Sequence, residues 1–264
     1  MKKHPIVELL QARAWRKSPF NDGNKIAFVL PGGIMSGVTL AGAMIGLQQI
    51  GVSKASDVIE TVSSGFAGMS YTLSDAPEFG SSVYFEEFAG KRFINFAKIF
   101  IGKSPIDYDW AIKSVRDLKP FIYQRIWDSG IEILLRVKDR QKKIQYLNLA
   151  DYDTKDFFDI FRAAISQPVI SQGGLINGLQ YFDGQWGQRN LNDHLLSVMQ
   201  KDYTHVVIIY NRRDQRVIDF PPSDKLLEII PRANFEVSAF ETNPSALIRA
   251  CNGMRKHVIE LFSH

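Results

Sequence analysis

"KIAFVLPGGIMSGVTLAGAMIGLQQIGVSKASDVIETVSSGFAGMSYTLS", residues 25–74, decides how this chain folds. "KIAFVL" (25–30) is a short apolar run ended by Pro31-Gly32-Gly33, the pattern of a buried strand. Val38, Ala41, Met44, Ile45 and Leu47 then share one broad face, which predicts a helix over 36–50. "DVIETV" (57–62) predicts a second strand, and "GFAGMSYTLS" (65–74) a second helix packed through small residues. Strand, loop, helix, strand, turn, helix is a parallel βαβα unit. Such sheets form their crevice beyond the C-terminal ends of the strands, which points to the turns after residues 30 and 62.

Both turns carry residues suited to chemistry. In "LPGGIMSG" (30–37) consecutive glycines open a helix, so backbone N–H groups can converge at its positive end. A phosphate or the oxyanion of an acyl transfer would fit there. The spacing is neither G-x-G-x-x-G nor the lysine-bearing phosphate loop, and a plain tight turn is the competing reading. In "TVSSGFAG" (61–68) Ser63 has Gly65 two places later, as a nucleophilic serine at a strand-to-helix elbow would. Thr61 stands where the usual first glycine belongs. Ser64 is a poorer candidate, because Phe66 follows it at the glycine position. Far downstream, "YFDGQWGQRN" holds Asp183-Gly184 after an apolar strand. Asp-Gly alone is an ordinary turn. A carboxylate with its usual pKa near ~3.9 is a feeble base, but desolvation beside a serine would strengthen it.

Outward from these pieces, residues 6–17 read as a short amphipathic helix. Residues 78–130 are aromatic-rich and less regular, and "YFEEFAGKRFINFAKIFIGK" (84–103) reads as helical hairpin material capping the sheet. Strands are expected at 131–139, 143–149, 177–186, 204–211 and 234–240, and helices at 154–165, 190–200, 223–230 and 244–262. The 264 residues are 45% hydrophobic and 23% charged, enough for one α/β domain spanning 1–264 with a buried core.

Composition narrows the partners. The net charge is +4 with Lys and Arg spread out, so nucleic-acid binding has no support and anionic lipid head groups suit the charge equally well. Cys251 is the single cysteine, which excludes an internal disulfide and reads as a small buried hydrophobe. No His/Cys cluster of metal-ligand spacing occurs, so no metal or cofactor is expected. The N-terminal residues lack a signal-peptide pattern and no long apolar run occurs, giving the expectation of a cytoplasmic protein. Peripheral membrane contact would fall on 84–103, with Phe85, Phe88, Phe93, Phe96 and Phe100 seated in the interface and Lys91, Arg92 and Lys103 at the head groups. A buried cap helix explains the same aromatics equally well. Oligomeric state is not legible.

Taken in order and spacing, the three pieces resemble the patatin-like phospholipases. The resemblance is good over 25–75, moderate over 160–195 and thin elsewhere. Gly32, Gly33 and Gly37 match glycines of the family's G-G-G-x-R-G loop, and Gly42 a helix glycine. Ser63 falls at the nucleophile of G-x-S-x-G, and Asp183 at the base of D-G-G or D-G-A. Asn190 lies near a usual polar residue after that turn. The resemblance implies a three-layer α/β/α sandwich with a mainly parallel sheet and a helical cap. It implies a Ser63–Asp183 dyad without histidine, an oxyanion hole from amides of Gly32, Gly33 and Ile34, and lipid acyl esters as substrates. Thr61, Gly65 and Gly184 would support the elbow and turn.

The chain departs from the family at Ile34 (third loop glycine), Ser36 (arginine), Thr61 (elbow glycine) and Gln185 (second glycine of D-G-G). Loss of the arginine is expected to loosen the loop. Two rivals stand beside the dyad. One is a Ser-His-Asp hydrolase using His205 or His257, which chain order permits. The other is a catalytically degenerate fold serving as a lipid-binding or protein-interaction module.

Overall fold

Five consecutive residues, Ile26–Leu30, form β1, and all five are buried. A continuous apolar run is what a strand covered on both faces requires. A computed structural model, which describes residues 3–187, 191–216, 220 and 223–263, shows what covers it. α1 (Pro5–Ala12) precedes β1, and α2 (Gly37–Gln49), β2 (Val58–Thr61) and α3 (Ser64–Leu73) complete the expected unit. Short helices α4 (Pro77–Ser82), α5 (Tyr108–Lys113) and α6 (Gln124–Trp127) lie in the stretch expected to form the cap. β3 (Glu132–Asp139), β4 (Ile144–Asn148), α7 (Phe157–Ile165), β5 (Gly174–Ile176) and β6 (Leu179–Asp183) follow. The chain closes with α8 (Asn192–Met199), β7 (His205–Ile209), β8 (Leu226–Ile229) and α9 (Pro244–Ser263).

Among the described residues eight strands form one sheet, ordered β5-β6-β3-β2-β1-β7-β8, with β4 also paired to β3. The pairs β3–β2, β2–β1, β1–β7 and β7–β8 are parallel, and those involving β4 or β6 are antiparallel. Alternate side chains of the central strands enter different clusters, as the two-residue period of a strand dictates. Phe28, Leu30, Ile59 and Val207 pack with α1, α2, α3 and α7, whereas Val29, Val206 and Ile208 pack with Leu191, Leu195 and Val198 around α8. The result is the expected three-layer α/β/α arrangement. α2 has no polar face because it lies between layers. Leu40 and Met44 join the sheet cluster, and Val38, Ala41 and Ile45 meet α9 and the cap.

Glu60 is a fully buried charge in the middle of β2. Its carboxylate accepts hydrogen bonds from Lys201 Nζ (2.6 Å) and the Tyr203 hydroxyl (2.7 Å), and His194 Nε2 lies 3.5 Å away. Burial pushes the Glu60 carboxyl up, but these partners outweigh burial and hold it below the ordinary range. The group ties β2 to α8.

Five expectations fail, each for a local reason. Residues 223–230 hold β8 rather than a helix: their apolar run is too short for periodicity to decide, and the free edge of β7 offers parallel pairing. Residues 234–240 form no strand. Phe235 and Val237 are buried in the two clusters that α9 joins, and Phe235 packs close against Gly253, so their alternation reflects contact with a helix. The hairpin over 84–103 is instead a π-helical turn (Val83–Phe88) and a 3-10 helix (Phe96–Ile101), broken by Gly90 and ended by Gly102, both at positive φ. Strand 177–186 begins later, at Leu179, because Asn177 and Gly178, both at positive φ, make the tight turn from β5, which the sequence reading missed. α1 ends at Ala12 rather than 17, where the chain turns so that Trp15 N–H donates to Gly51 O. Asn190 lies outside the described residues.

Candidate active site

Ser63 sits between β2 and α3 with φ 54° and ψ −125°, a conformation a non-glycine residue adopts only under constraint. The constraint is visible on both sides. Gly65 passes so close to β1 that an added Cβ would lie 2.1 Å from Leu30 O and 2.8 Å from Thr61 Oγ1. Thr61 is fully buried, and its hydroxyl donates to Leu30 O at 3.3 Å. The space left by the missing Cβ of Gly65 is where the Thr61 side chain fits. The elbow therefore forms with threonine in the glycine position.

Register brings Asp183 to Ser63. Thr61 at the end of β2 pairs with Leu135, and Asp183 at the end of β6 pairs with Val137, two residues further along β3. β4 occupies the other edge of β3 at both levels. β2 and β6 thus run towards each other along one edge and end almost tip to tip. Ser63 and Asp183 line one cavity, with the Ser63 hydroxyl near enough to favour the ionised carboxylate, and Gln185 N–H donates to Asp183 Oδ1 at 2.8 Å. Burial pushes the Asp183 carboxyl up to about 6, against the opposing Gln185 N–H hydrogen bond, the nearby Ser63 hydroxyl and the charges of Lys138 and Arg136. Gly184 is required where it stands. A Cβ there would meet Arg136 O at 2.4 Å, and Gly184 O accepts from the Arg136 guanidinium at 2.7 Å.

The glycine loop is held by its carbonyls. Pro31 O accepts from Asn211 Nδ2 (2.7 Å), Gly32 O from Gln215 Nε2 (2.7 Å) and Gly33 O from Ser36 Oγ (2.8 Å). The loop is ordered despite the lost arginine, because Ser36, Asn211 and Gln215 fasten it. A Cβ on Gly32 would lie 3.1 Å from Ser63 Oγ, so the loop backbone runs against the serine. The Gly32 amide donates to Gln185 Oε1 at 2.7 Å. Among the described residues neither the Gly33 nor the Ile34 amide has an acceptor. Ile34 holds φ 52°, the left-handed value its family glycine would supply.

All five expected dyad and loop residues, Ser63, Asp183, Gly32, Gly33 and Ile34, line one cavity of about 190 Å³, with Gln185, Trp186 and Arg212 at its walls. A second, apolar cavity of about 50 Å³ runs from Ser63 and Ile34 under the cap between Tyr84, Phe88, Tyr108 and Phe161. No histidine lines either among the described residues. His205 opens β7 at the end of the sheet opposite the elbow, since β7 runs parallel to β1 with His205 beside Ile26. His257 lies on α9 against Phe235. The Ser-His-Asp reading is without a histidine in reach.

The sequence reading missed Gln185, Asn211 and Gln215 as loop supports. Asn211 was visible as a polar residue closing the apolar strand 204–211, at the strand end where sites form. Gln185 was visible only as a departure.

No family model and no curated protein matches the sequence. Solved structures do match. The structure of VipD from Legionella pneumophila superposes with TM-score 0.52 at 11% identity, over 94% of this chain and 67% of that one. Human group IVD cytosolic phospholipase A2, solved with a methyl γ-linolenyl fluorophosphonate inhibitor, gives 0.44 at 9% identity, over 99% and 62%. At such identities the likeness to VipD speaks for the fold. The chain has the patatin-like α/β fold, with a mostly parallel central sheet between helices.

Proposed function

We propose that the protein is a lipid acyl hydrolase that cleaves carboxylic esters with a Ser63–Asp183 dyad. The observation that carries this reading is a serine strained onto an elbow that shares one cavity with a buried carboxylate whose pKa is raised to about 6. A base poised near neutral pH is what proton transfer from a hydroxyl needs. Ser63 Oγ attacks the ester carbonyl carbon as its proton passes to Asp183. The oxyanion is held by the unpaired Gly33 and Ile34 amides, at the end where α2 begins, rather than by Gly32. Asp183 returns the proton to the departing alcohol oxygen, the C–O bond breaks, and the acyl group stays on Ser63. Water then attacks the acyl carbon, giving its proton to Asp183, and the acid leaves as Ser63 regains its hydrogen.

The apolar cavity under the cap suits an acyl chain, and its small volume means that the cap residues must part to admit a long one. The substrate side of the reading rests on the surface. Phe96, Ile99, Phe100 and Ile101 are exposed together, beside Lys98 and Lys103. Phe88 and Phe93 are buried, so the anchor is smaller than the sequence pattern suggested. Phe240 packs on Phe96, with ring centroids 5.6 Å apart. The neighbouring Ala239 lines the Ser63 cavity, and its carbonyl accepts from Met35 N–H. The apolar patch therefore adjoins the mouth of the cavity, which suits an ester drawn from a lipid surface. Among the described residues no helix is long and apolar enough to cross a membrane.

The test is fatty-acid release from phospholipid vesicles by the wild type, Ser63→Ala and Asp183→Asn. Release by the wild type alone is expected. Release by a folded Ser63→Ala variant would overturn the dyad, and a folded wild type inert on every ester lipid would favour a binding module.

A further inference from the structure

Gln185 makes two contacts that no other residue combines. Its own N–H donates to Asp183 Oδ1 at 2.8 Å, and its side-chain Oε1 accepts from the Gly32 amide at 2.7 Å. The first contact belongs to the turn after β6, and the second reaches the loop after β1. The Gly32 peptide is thereby gripped at both ends, by Gln185 at its N–H and by Gln215 at its carbonyl. The next two amides, of Gly33 and Ile34, remain without acceptors among the described residues. A small residue at 185, such as glycine or alanine, could not make the side-chain contact.

We infer that Gln185 is a positioning residue: it clamps the oxyanion loop to the turn that carries the base and leaves the Gly33 and Ile34 amides aimed at the reacting carbonyl. This rests on the hydrolase reading above. The clamp also accounts for the isoleucine at 34. A left-handed isoleucine is strained, and such a conformation persists only where its surroundings over-determine it. Four fixed contacts, from Gln185, Gln215, Asn211 and Ser36, do so here. The opposite assignment is a plug, in which Gln185 competes with the oxyanion. It requires the amide it covers to be needed for catalysis, yet two free amides already lie beyond it.

Two variants and two readouts decide. Gln185→Ala removes the acceptor. Gln185→Glu keeps an acceptor for Gly32 but adds a negative charge near Asp183. Exchange of the Gly32 amide, read by NMR, reports the clamp without reference to activity. The rate of Ser63 modification by a fluorophosphonate ester reports the site. In Gln185→Ala, Gly32 exchange should accelerate and labelling slow about ten- to a hundredfold, the usual cost of small misplacements in a reacting site. In Gln185→Glu, Gly32 protection should return, while the acid limb of the labelling rate moves up from about pH 6 as the added charge disfavours ionised Asp183. That shift reports the added charge, whereas labelling at pH 8 that is slowed in Gln185→Ala and restored in Gln185→Glu is the readout a purely structural glutamine would not give. Unchanged Gly32 exchange in Gln185→Ala, or labelling as fast as or faster than wild type, overturns the inference. A wild type that exchanges slowly at Gly32 but never labels overturns the hydrolase reading instead, and leaves Gln185 as a loop clamp without a reaction to position.

Discussion

Thr61 and Gly65 share one volume at the elbow. The threonine side chain is tolerated because Gly65 has no Cβ, and the two residues are coupled. Gly65→Ala should therefore lower stability by about 2 kcal/mol or more in urea denaturation, since the new atom meets backbone that cannot yield. Asp183 sets the pH behaviour. It must be ionised to accept the Ser63 proton, so the rate should fall as pH drops below about 6. Stability follows the opposite sign. The folded carboxyl binds its proton more tightly than the unfolded one, so its contribution is fully present below the ordinary carboxylate pKa and is lost as pH rises to about 6. Above that, the buried charge costs about 3 kcal/mol at most. Asp183→Asn should thus be inactive yet more stable than wild type at pH 8, by roughly 1–3 kcal/mol, with the gain gone near pH 4. A denaturation series at the two pH values checks both signs.

α2 links the elements that matter. Its first turn carries the oxyanion loop, and its Gly42 abuts α9 so tightly that a Cβ would lie 2.2 Å from Cys251 O. Gly42→Val should push the two helices apart, cost about 2–3 kcal/mol or more, and slow Ser63 labelling although the site is not touched. The exposed 3-10 helix Phe96–Ile101 makes a separate claim. Phe100 is 92% exposed and Ile101 67%, values that leave a folded monomer nothing to gain from either. Phe100→Asp should leave stability unchanged and reduce flotation with anionic vesicles about tenfold. Elements were legible where local signals agreed: an apolar strand ended by Pro-Gly-Gly, a βαβ pattern and a long terminal helix. They were illegible where tertiary contact overrode a short pattern. Leu226–Ile229 becomes a strand only because β7 has an edge to offer, and Phe235 and Val237 alternate only because α9 lies beneath them.

For the whole molecule, the decisive fact is that β2 and β6 meet on one edge of β3. The sequence places Ser63 and Asp183 at two strand ends, 120 residues apart, and no local pattern says that the ends face each other. The resemblance in three motifs supplied that expectation, and the register of β3 explains it physically. The contacts that hold the loop were not legible, because Gln185, Asn211 and Gln215 act on residues far away in sequence and carry no motif of their own. The central claim is that this convergence makes Ser63 a nucleophile. Intact-mass analysis after treatment with an alkyl fluorophosphonate tests it most directly. The account predicts one adduct on the wild type at pH 8, none on Ser63→Ala, and strongly slowed formation on Asp183→Asn. An adduct that persists on folded Ser63→Ala, or a folded wild type that remains unmodified, would contradict it.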